Sequence, residues 1–208
     1  MNNEIPDLRR LLIETRETLL NPQEYFPSME LTGGYAEPVI KAAIYGVIAG
    51  LLSLLWTALG LSALGGSIWS GVTGITALIS SIIGAIVAVF IGGGLMLIIS
   101  AICGGDTDYE ANVRVAASLM AVYPINAFMA FLYGINTDVG SVVGLAISLY
   151  SLYLLYHAAT LALRGKKTTA KIVAIVLVFL SLLSFNVSRK ATNSMDDISD
   201  MFEQRVLD

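Results

Sequence analysis

Residues 42–105, AAIYGVIAGLLSLLWTALGLSALGGSIWSGVTGITALISSIIGAIVAVFIGGGLMLIISAICGG, contain no Asp, Glu, Lys or Arg. One helix over this run would be about 96 Å long, roughly three times the hydrocarbon thickness of a bilayer. Three crossings would need about 60 residues for the helices alone, which leaves almost none for turns. The run therefore predicts two membrane crossings, and the glycine and serine cluster at residues 65–71 predicts the hairpin between them.

Three more apolar stretches follow, and charged residues separate them. They lie between Arg114 and Asp138, between Asp138 and Arg164, and between Lys171 and Ser188. The predicted spans are 38–63, 72–103, 109–133, 139–163 and 168–187, and the over-long second span is expected to tilt or to bend at residues 92–94.

The composition agrees with this fold class. The chain is 56% hydrophobic and 13% charged, whereas soluble domains carry roughly 25% charged residues. The sequence thus predicts an all-α integral membrane protein, a five-transmembrane-helix bundle in contact with the lipid bilayer.

The segment before the first span predicts an amphipathic helix. Apolar or small side chains recur there at helical spacing: Leu8, Leu11, Leu12, Thr15 and Leu19. The helix is expected either to lie on the membrane surface or to pack on the protein's own cytoplasmic face. Residues 1–37 are therefore predicted to form a cytoplasmic amphipathic segment, and residues 188–208 a short polar tail.

Positive charges predict the orientation. They concentrate in two segments that five spans place on one side: Arg9, Arg10, Arg16, Arg164, Lys166 and Lys167. This puts the N-terminus in the cytoplasm and the C-terminus outside, although Arg189 and Lys190 after the last span argue against it.

The order of motifs resembles a known family. The quoted motifs are Asn21-Pro22-Gln23-Glu24-Tyr25-Phe26, Pro38 leading the first span, Gly104-Gly105-Asp106, Tyr109–Ala116, Tyr123-Pro124 and Arg164–Lys171. Over residues 18–187 the chain resembles the Yip family, the Ypt/Rab-interacting membrane proteins with a five-span domain. The resemblance implies a role in membrane trafficking or membrane organisation. The short region before the first span implies a prokaryotic member, and hence a prokaryotic plasma membrane.

Charged residues cluster at the start of the third span. They are Asp106, Asp108, Glu110 and Arg114, and the last two are four residues apart on one helix face. Arg114 lies about one turn into the apolar region, where an unpaired charge is costly. The cluster predicts either a site for a partner, a lipid head group or an ion, or a structural clamp between spans two and three.

Glu37 and Lys41 at the entry to the first span are also four residues apart. Their spacing predicts an interfacial ion pair, with a lipid head group contact as the alternative.

Three residues inside the spans are candidates for motion or proton transfer. Pro124 predicts a kink, either static or a gating hinge, and Asn126 could bond a freed backbone group. His157 shares a face with Tyr150 and Tyr153, so it is either part of an aromatic interfacial belt or a proton relay.

Small residues recur every four positions on three spans: Gly46 and Gly50; Ser80, Gly84, Ala88 and Gly92; Gly140, Gly144 and Ser148. Such ladders let helix backbones approach closely, either inside the bundle or across a homodimer interface.

No catalytic pattern is recognisable in the sequence. The single cysteine, Cys103, and the single histidine are 54 residues apart, and no set of ligands has metal spacing. We therefore predict no enzymatic activity, no catalytic residues, no metal and no cofactor. The lack of a basic stripe interleaved with aromatic residues predicts no nucleic acid partner.

Two functions remain open. The first is a non-enzymatic membrane adaptor or scaffold that recruits membrane or cytoplasmic protein partners through its N-terminal helix and cytoplasmic loops. The second is a channel or small transporter for ions, protons or a lipid, which would use Arg114, Pro124, Asn126 and His157.

Overall fold

The structure, a computed structural model, describes residues 8–61 and 73–207. The helices in those ranges are α1 (Leu8–Leu20), α2 (Pro22–Ser28), α3 (Ala36–Ala58), α4 (Thr73–Cys103), α5 (Tyr109–Leu119), α6 (Val122–Met129), α7 (Leu132–Ile135), α8 (Thr137–His157) and α9 (Lys167–Leu207). A π-helical turn, Ala158–Ala162, extends α8.

Within the described residues, five segments are long and apolar enough to cross a membrane. They are Ala36–Ala58, Leu78–Cys103, Tyr109–Ile135, Thr137–Ala162 and Lys167–Val187. The predicted five-span, all-α integral membrane architecture with a preceding N-terminal helix is therefore confirmed.

The first span ends earlier than residue 63, where the sequence places its end. Gly60 has a φ of +71°, and the Leu61 N–H donates back to the Trp56 carbonyl at 2.8 Å. This left-handed glycine cap closes the last turn of α3. The hairpin predicted at residues 65–71 lies outside the described residues.

Close helix contacts at glycines hold the spans together. A Cβ at Gly46 of α3 would lie 2.9 Å from the Cα of Ile82 on α4, and Gly140 packs equally closely on Tyr133. These two ladders therefore serve packing inside the bundle. A Cβ at Gly84 would meet nothing within 4 Å, whereas one at Gly92 would lie 3.4 Å from the Cβ of Ala116, so only part of that ladder is packed and the homodimer stays a prediction.

The second span is one uninterrupted helix through residues 92–94. Gly93 lies against Val113 of α5: a Cβ there would be 2.9 Å from the Val113 Cα. Gly92 and Gly93 thus provide a contact surface for α5.

The third span, predicted as a single helix over residues 109–133, is divided into α5, α6 and α7. Pro124 carries no N–H and cannot bond the Met120 carbonyl, which instead accepts from the Tyr123 N–H at 2.8 Å. The chain therefore tightens into a turn at Met120 and Ala121 between α5 and α6.

The N-terminal helix α1 packs on the bundle with one face and is exposed on another. Leu11 and Thr18 are buried, whereas Leu12, Ile13 and Leu20 are exposed. The structure therefore shows the packing on the protein's own surface and leaves exposed apolar side chains, together with Arg16, on the outward face. At the other end, α9 runs on through residues 188–207, predicted as a polar tail.

Candidate functional site

The short helix α2 anchors the N-terminal segment on the spans. Pro22 starts the helix, where a missing N–H removes no helical hydrogen bond. Phe26 is 1% exposed and belongs to the main apolar core with Val113 of α5. The Tyr25 hydroxyl lies 3.0 Å from the Ser118 hydroxyl, also on α5. The chain that leaves α2 is therefore held beside α5.

The loop between α2 and α3 turns at two glycines. Gly33 has a φ of +126° and Gly34 a φ of +86°, conformations that residues with a Cβ rarely adopt. A Cβ at Gly33 would also lie 3.3 Å from Nη1 of Arg114. The turn thus brings the loop backbone directly against the Arg114 guanidinium.

Arg114 binds this loop and the first span through all three of its nitrogen atoms. Nε donates to the Glu30 carbonyl at 2.8 Å, and Nη1 donates to the Gly34 carbonyl at 3.0 Å. Nη2 pairs with Glu37 Oε2 at 2.5 Å. The guanidinium is a planar fork of donors, which suits a set of acceptors placed around it. The side chain is only 4% exposed, so these acceptors offset the cost of burying its charge.

Glu110 does not take the partner that its spacing predicts. Its Oε1 accepts the Gly34 N–H at 2.6 Å, while Arg114 binds Glu37. The sequence predicts a Glu110–Arg114 pair and a clamp between spans two and three. In the structure, these side chains instead hold the α2–α3 loop and the first span against the third span.

Lys41 continues the ionic network toward α1. Its ammonium lies 2.9 Å from Glu37 Oε1, one turn earlier on α3, and 2.5 Å from Glu14 Oε2 on α1. The side chain is only 7% exposed. A lysine this buried needs paired carboxylates, and Glu14 and Glu37 supply them from two elements.

The network ends at the surface. Arg10 donates to Glu14 at 2.7 Å and lies 3.7 Å from Glu30. The hydrogen bond and charge of Glu14 raise the pKa of Arg10 above its ordinary value. Cations and carboxylates thus alternate from Arg114 to Glu30, three of each, and their formal charges cancel.

A polar cavity of about 380 Å³ lies against this network. Its charged lining consists of Arg10, Glu14, Glu17, Glu30, Glu37, Lys41 and Arg114. The volume falls within the roughly 300–1,000 Å³ of small-molecule sites. We call this space the polar cavity, and it is the candidate functional site.

Asp106 and Asp108 lie apart from the polar cavity. Asp108 caps the N-terminus of α5 by accepting the Ala111 N–H at 2.9 Å, and Asp106 accepts the Asp108 N–H at 2.9 Å. Asn112 is fully buried and donates to both aspartate carbonyls, and its Oδ1 has no partner among the described residues. The two aspartates therefore shape the turn into α5.

The other candidates are dispersed. Asn126 lines an apolar groove between the spans, and Pro124 lies in the first turn of α6. His157 is buried at the end of α8, with its ring centroid 4.5 Å from that of Tyr153 and 5.4 Å from that of Tyr156. The structure does not bring these residues to the polar cavity.

Sequence reasoning missed the contribution of α1 to the site. The sequence predicts an amphipathic helix from its apolar side chains, whereas the structure shows that the charged Glu14 and Arg10 of that helix line the polar cavity. One available signal was Lys41, because a lysine within a span requires acidic partners from elsewhere in the chain.

The comparisons with known proteins give one family. A model of the Yip1 domain matches residues 16–187, and this range includes the five spans and most of the polar cavity. No curated protein and no solved structure shows a significant match. The Yip1 family consists of membrane proteins linked to trafficking. Since the match covers most of its length, the chain belongs to the Yip1 domain family.

Proposed function

We propose that this protein is a non-enzymatic membrane adaptor or scaffold that presents α1 to a protein partner. The observation that carries the proposal is the outward face of a helix that is already fixed on the bundle, where exposed apolar side chains lie beside the exposed Arg16. Leu12 and Leu20 are each 65% exposed and Ile13 is 52% exposed. Exposed apolar side chains grouped on one helix are typical of an interaction surface.

The ionic network supports this proposal because it fixes the position of α1. Glu14 of α1 binds Lys41 of α3, and Thr15 of α1 lies 2.7 Å from the Tyr45 hydroxyl. A surface that is ordered before binding loses less conformational entropy when the partner docks. The charged side chains of the site pair with one another, an arrangement suited to holding a platform in place.

A photocrosslinking experiment tests the proposal. A benzophenone amino acid at position 12 or 20 should give discrete protein adducts in native membranes, and Leu12→Ser should weaken the adduct formed at position 20. The matched control is position 175, because Ile175 is 68% exposed but lies within a span. Lipid adducts alone at positions 12 and 20, as at position 175, would contradict an adaptor surface on α1.

Point substitutions are preferable to deletion of residues 1–20. That deletion removes Glu14, one of the two carboxylates that bind the buried Lys41. Loss of partner capture would then follow from a disturbed bundle as readily as from a missing surface. Leu12 and Leu20 face outward, so their substitution leaves the network intact.

One observation favours lipid transport as a second candidate function. An open groove of about 720 Å³ lies between the spans, and its lining is largely apolar, including Gly84, Ala88 and Leu119. Apolar walls suit acyl chains better than ions. Reconstituted protein should then exchange fluorescent phospholipid between leaflets, and Ala88→Phe should slow that exchange. No exchange from folded protein would remove this candidate.

A further inference from the structure

The outer part of the polar cavity holds a weak pair of opposite charges. Arg10 and Glu30 are 3.7 Å apart, and their side chains are 57% and 70% exposed. In contrast, Lys41 and Arg114 are almost fully buried, with carboxylate partners at 2.9 Å or less. The inner charges are committed to the fold, whereas an exposed pair at this distance contributes little to stability. Arg10 and Glu30 can therefore separate to admit a ligand.

A ligand that enters between Arg10 and Glu30 separates each residue from its partner, so it must supply a group of opposite charge to each of them. An anion on Arg10 and a cation on Glu30 satisfy both, and a zwitterion supplies the two at once. Arg10 Nε already donates to Glu14 at 2.7 Å, so a phosphate would bind the two Nη groups, whose N–H donors match two phosphate oxygens. Glu30 and Glu17 both line the cavity and offer carboxylate acceptors to an ammonium group. We propose that the polar cavity binds the phosphoethanolamine head group of a membrane phospholipid.

The charge balance of the cavity selects a zwitterion over an anionic head group. Among the described residues, four carboxylates and three cations line the cavity, so this part of the lining carries no excess positive charge. A head group with net negative charge would gain one contact at Arg10 and face the carboxylates without compensation. A zwitterion leaves the total charge unchanged.

The lining also selects ethanolamine over choline. A primary ammonium donates hydrogen bonds to carboxylates, whereas a quaternary ammonium has no N–H and is bound by a cage of aromatic rings. Tyr25 is the single aromatic side chain in the described lining. The carboxylates therefore match a primary ammonium group.

The position of the cavity points to a lipid source. Glu37 and Lys41 lie in the first two turns of a membrane-spanning segment, Ala36–Ala58, and both line the cavity. The end of a span lies at the level of the lipid head groups. The proposal goes beyond the adaptor function and does not depend on it, because the side chains proposed to bind the head group, Arg10 and Glu30, differ from those tested as the protein-binding surface, Leu12 and Leu20.

The test counts lipids bound to the purified protein. Protein in detergent micelles is titrated with phosphatidylethanolamine, phosphatidylcholine or phosphatidylglycerol of matched acyl chains, and adducts are measured by native mass spectrometry. We expect one phosphatidylethanolamine molecule to remain bound in preference to the other two lipids. Arg10→Ala and Glu30→Gln should each weaken its binding about tenfold, the loss of roughly one charge-assisted hydrogen bond.

The matched controls are Arg16→Ala and Glu24→Gln, which remove exposed charges from the same segments outside the described cavity lining. Both controls should keep wild-type binding. Equal binding of all three lipids, stronger binding of phosphatidylglycerol, or an equal loss in the controls would overturn the proposal. All four substituted side chains are exposed, so the variants should fold, which thermal unfolding in the same micelles checks.

Soluble phosphoethanolamine identifies the source of the head group. Displacement of bound phosphatidylethanolamine by the soluble compound would support recognition of the head group alone. Selective lipid binding without displacement would show that the acyl chains also contribute, which supports the lipid as ligand. Binding of the soluble compound with no lipid adduct would overturn the lipid source.

Discussion

Glu110 and Arg114 hold the same residue, Gly34, through the two polar groups of its backbone. Glu110 accepts the Gly34 N–H at 2.6 Å, and Arg114 donates to the Gly34 carbonyl at 3.0 Å. The two side chains are one turn apart on α5, so a single helix face fixes both groups. This contact ties the loop that leads into the first span to the third span, and the polar cavity depends on it.

Arg114 is the residue whose loss should most disturb this contact. We expect Arg114→Ala to destabilise the protein by about 3–5 kcal/mol, because Glu37 is left with one fewer cation and two loop carbonyls lose their donor. Arg114→Lys should recover only part of this, since one ammonium cannot replace the three-nitrogen fork. Thermal unfolding in detergent and proteolysis of residues 29–35 measure both effects.

Arg16→Ala is the control for this prediction, because Arg16 is exposed and pairs only at 3.4 Å with its neighbour Glu17. It should change the unfolding free energy by less than about 0.5 kcal/mol. Full stability in Arg114→Lys would show that charge alone, and not the fork geometry, holds the loop.

Two adjacent glycines on α4 should respond in opposite ways to alanine. In Gly93→Ala the new Cβ would lie 2.4 Å from a Val113 methyl group and 2.9 Å from its Cα, so α4 and α5 must separate. We expect a loss of about 1–3 kcal/mol. In Gly94→Ala the Cβ meets nothing within 4 Å, so better helix propensity should leave stability equal or slightly higher. Equal effects in the two variants would contradict the observed packing of α5 on Gly93.

The spans could be predicted from sequence because hydropathy is a property of the local chain. A charge-free run of 64 residues excludes a single crossing whatever surrounds it, and span limits follow from the charges that flank each run. The partners of Arg114, in contrast, depend on long-range packing and not on a local property of the chain. They lie 77 to 84 residues away along the chain, and local spacing favoured Glu110 instead. A helix spacing rule gives the pairs that are available, whereas tertiary packing decides which of them form.

The limits of individual helices were less predictable for a similar reason. The end of α3 at Ala58 depends on the left-handed Gly60, in a run where glycine is frequent. The sequence predicts a kink at Pro124. The helix breaks four residues upstream, because the Met120 carbonyl is the group that loses its donor.

Removal of Pro124 should join α5 and α6 into one helix in the first part of the third span. In Pro124→Ala the N–H of residue 124 can bond the Met120 carbonyl, so α5 and α6 can join. Spin labels at Tyr109 and Ile135, the two ends of the span, should then report a longer distance by electron–electron resonance. An unchanged distance would show that bundle packing sets the break, so that the kink is static.

His157 should be replaceable by another aromatic residue if its role is packing. His157→Phe keeps the ring contacts with Tyr153 and Tyr156, so we expect stability within about 1 kcal/mol of the wild type, against a loss of about 2–3 kcal/mol in His157→Ala. Measurement of proton flux into liposomes distinguishes the packing role from the proton-relay role. Flux present in the wild-type protein and lost in His157→Phe would establish the relay role.

The strongest coupling in the site should be between Lys41 and Glu14, because this pair joins α1 to the first span. Lys41→Met leaves Glu14 and Glu37 facing each other without the cation between them, and we expect a loss of about 3–5 kcal/mol. Adding Glu14→Gln removes one of the two opposing carboxylates, so the double variant should be more stable than Lys41→Met alone.

Hydrogen exchange along α1 should accelerate in Lys41→Met and in Glu14→Gln. The control is Glu17→Gln, because the Glu17 carboxylate pairs with the exposed Arg16. The contrary result is that the stability losses of Lys41→Met and Glu14→Gln simply add in the double variant, with α1 exchanging at the wild-type rate. That result would show that the pair does not fix α1, and that the Thr15–Tyr45 contact would have to hold the adaptor surface.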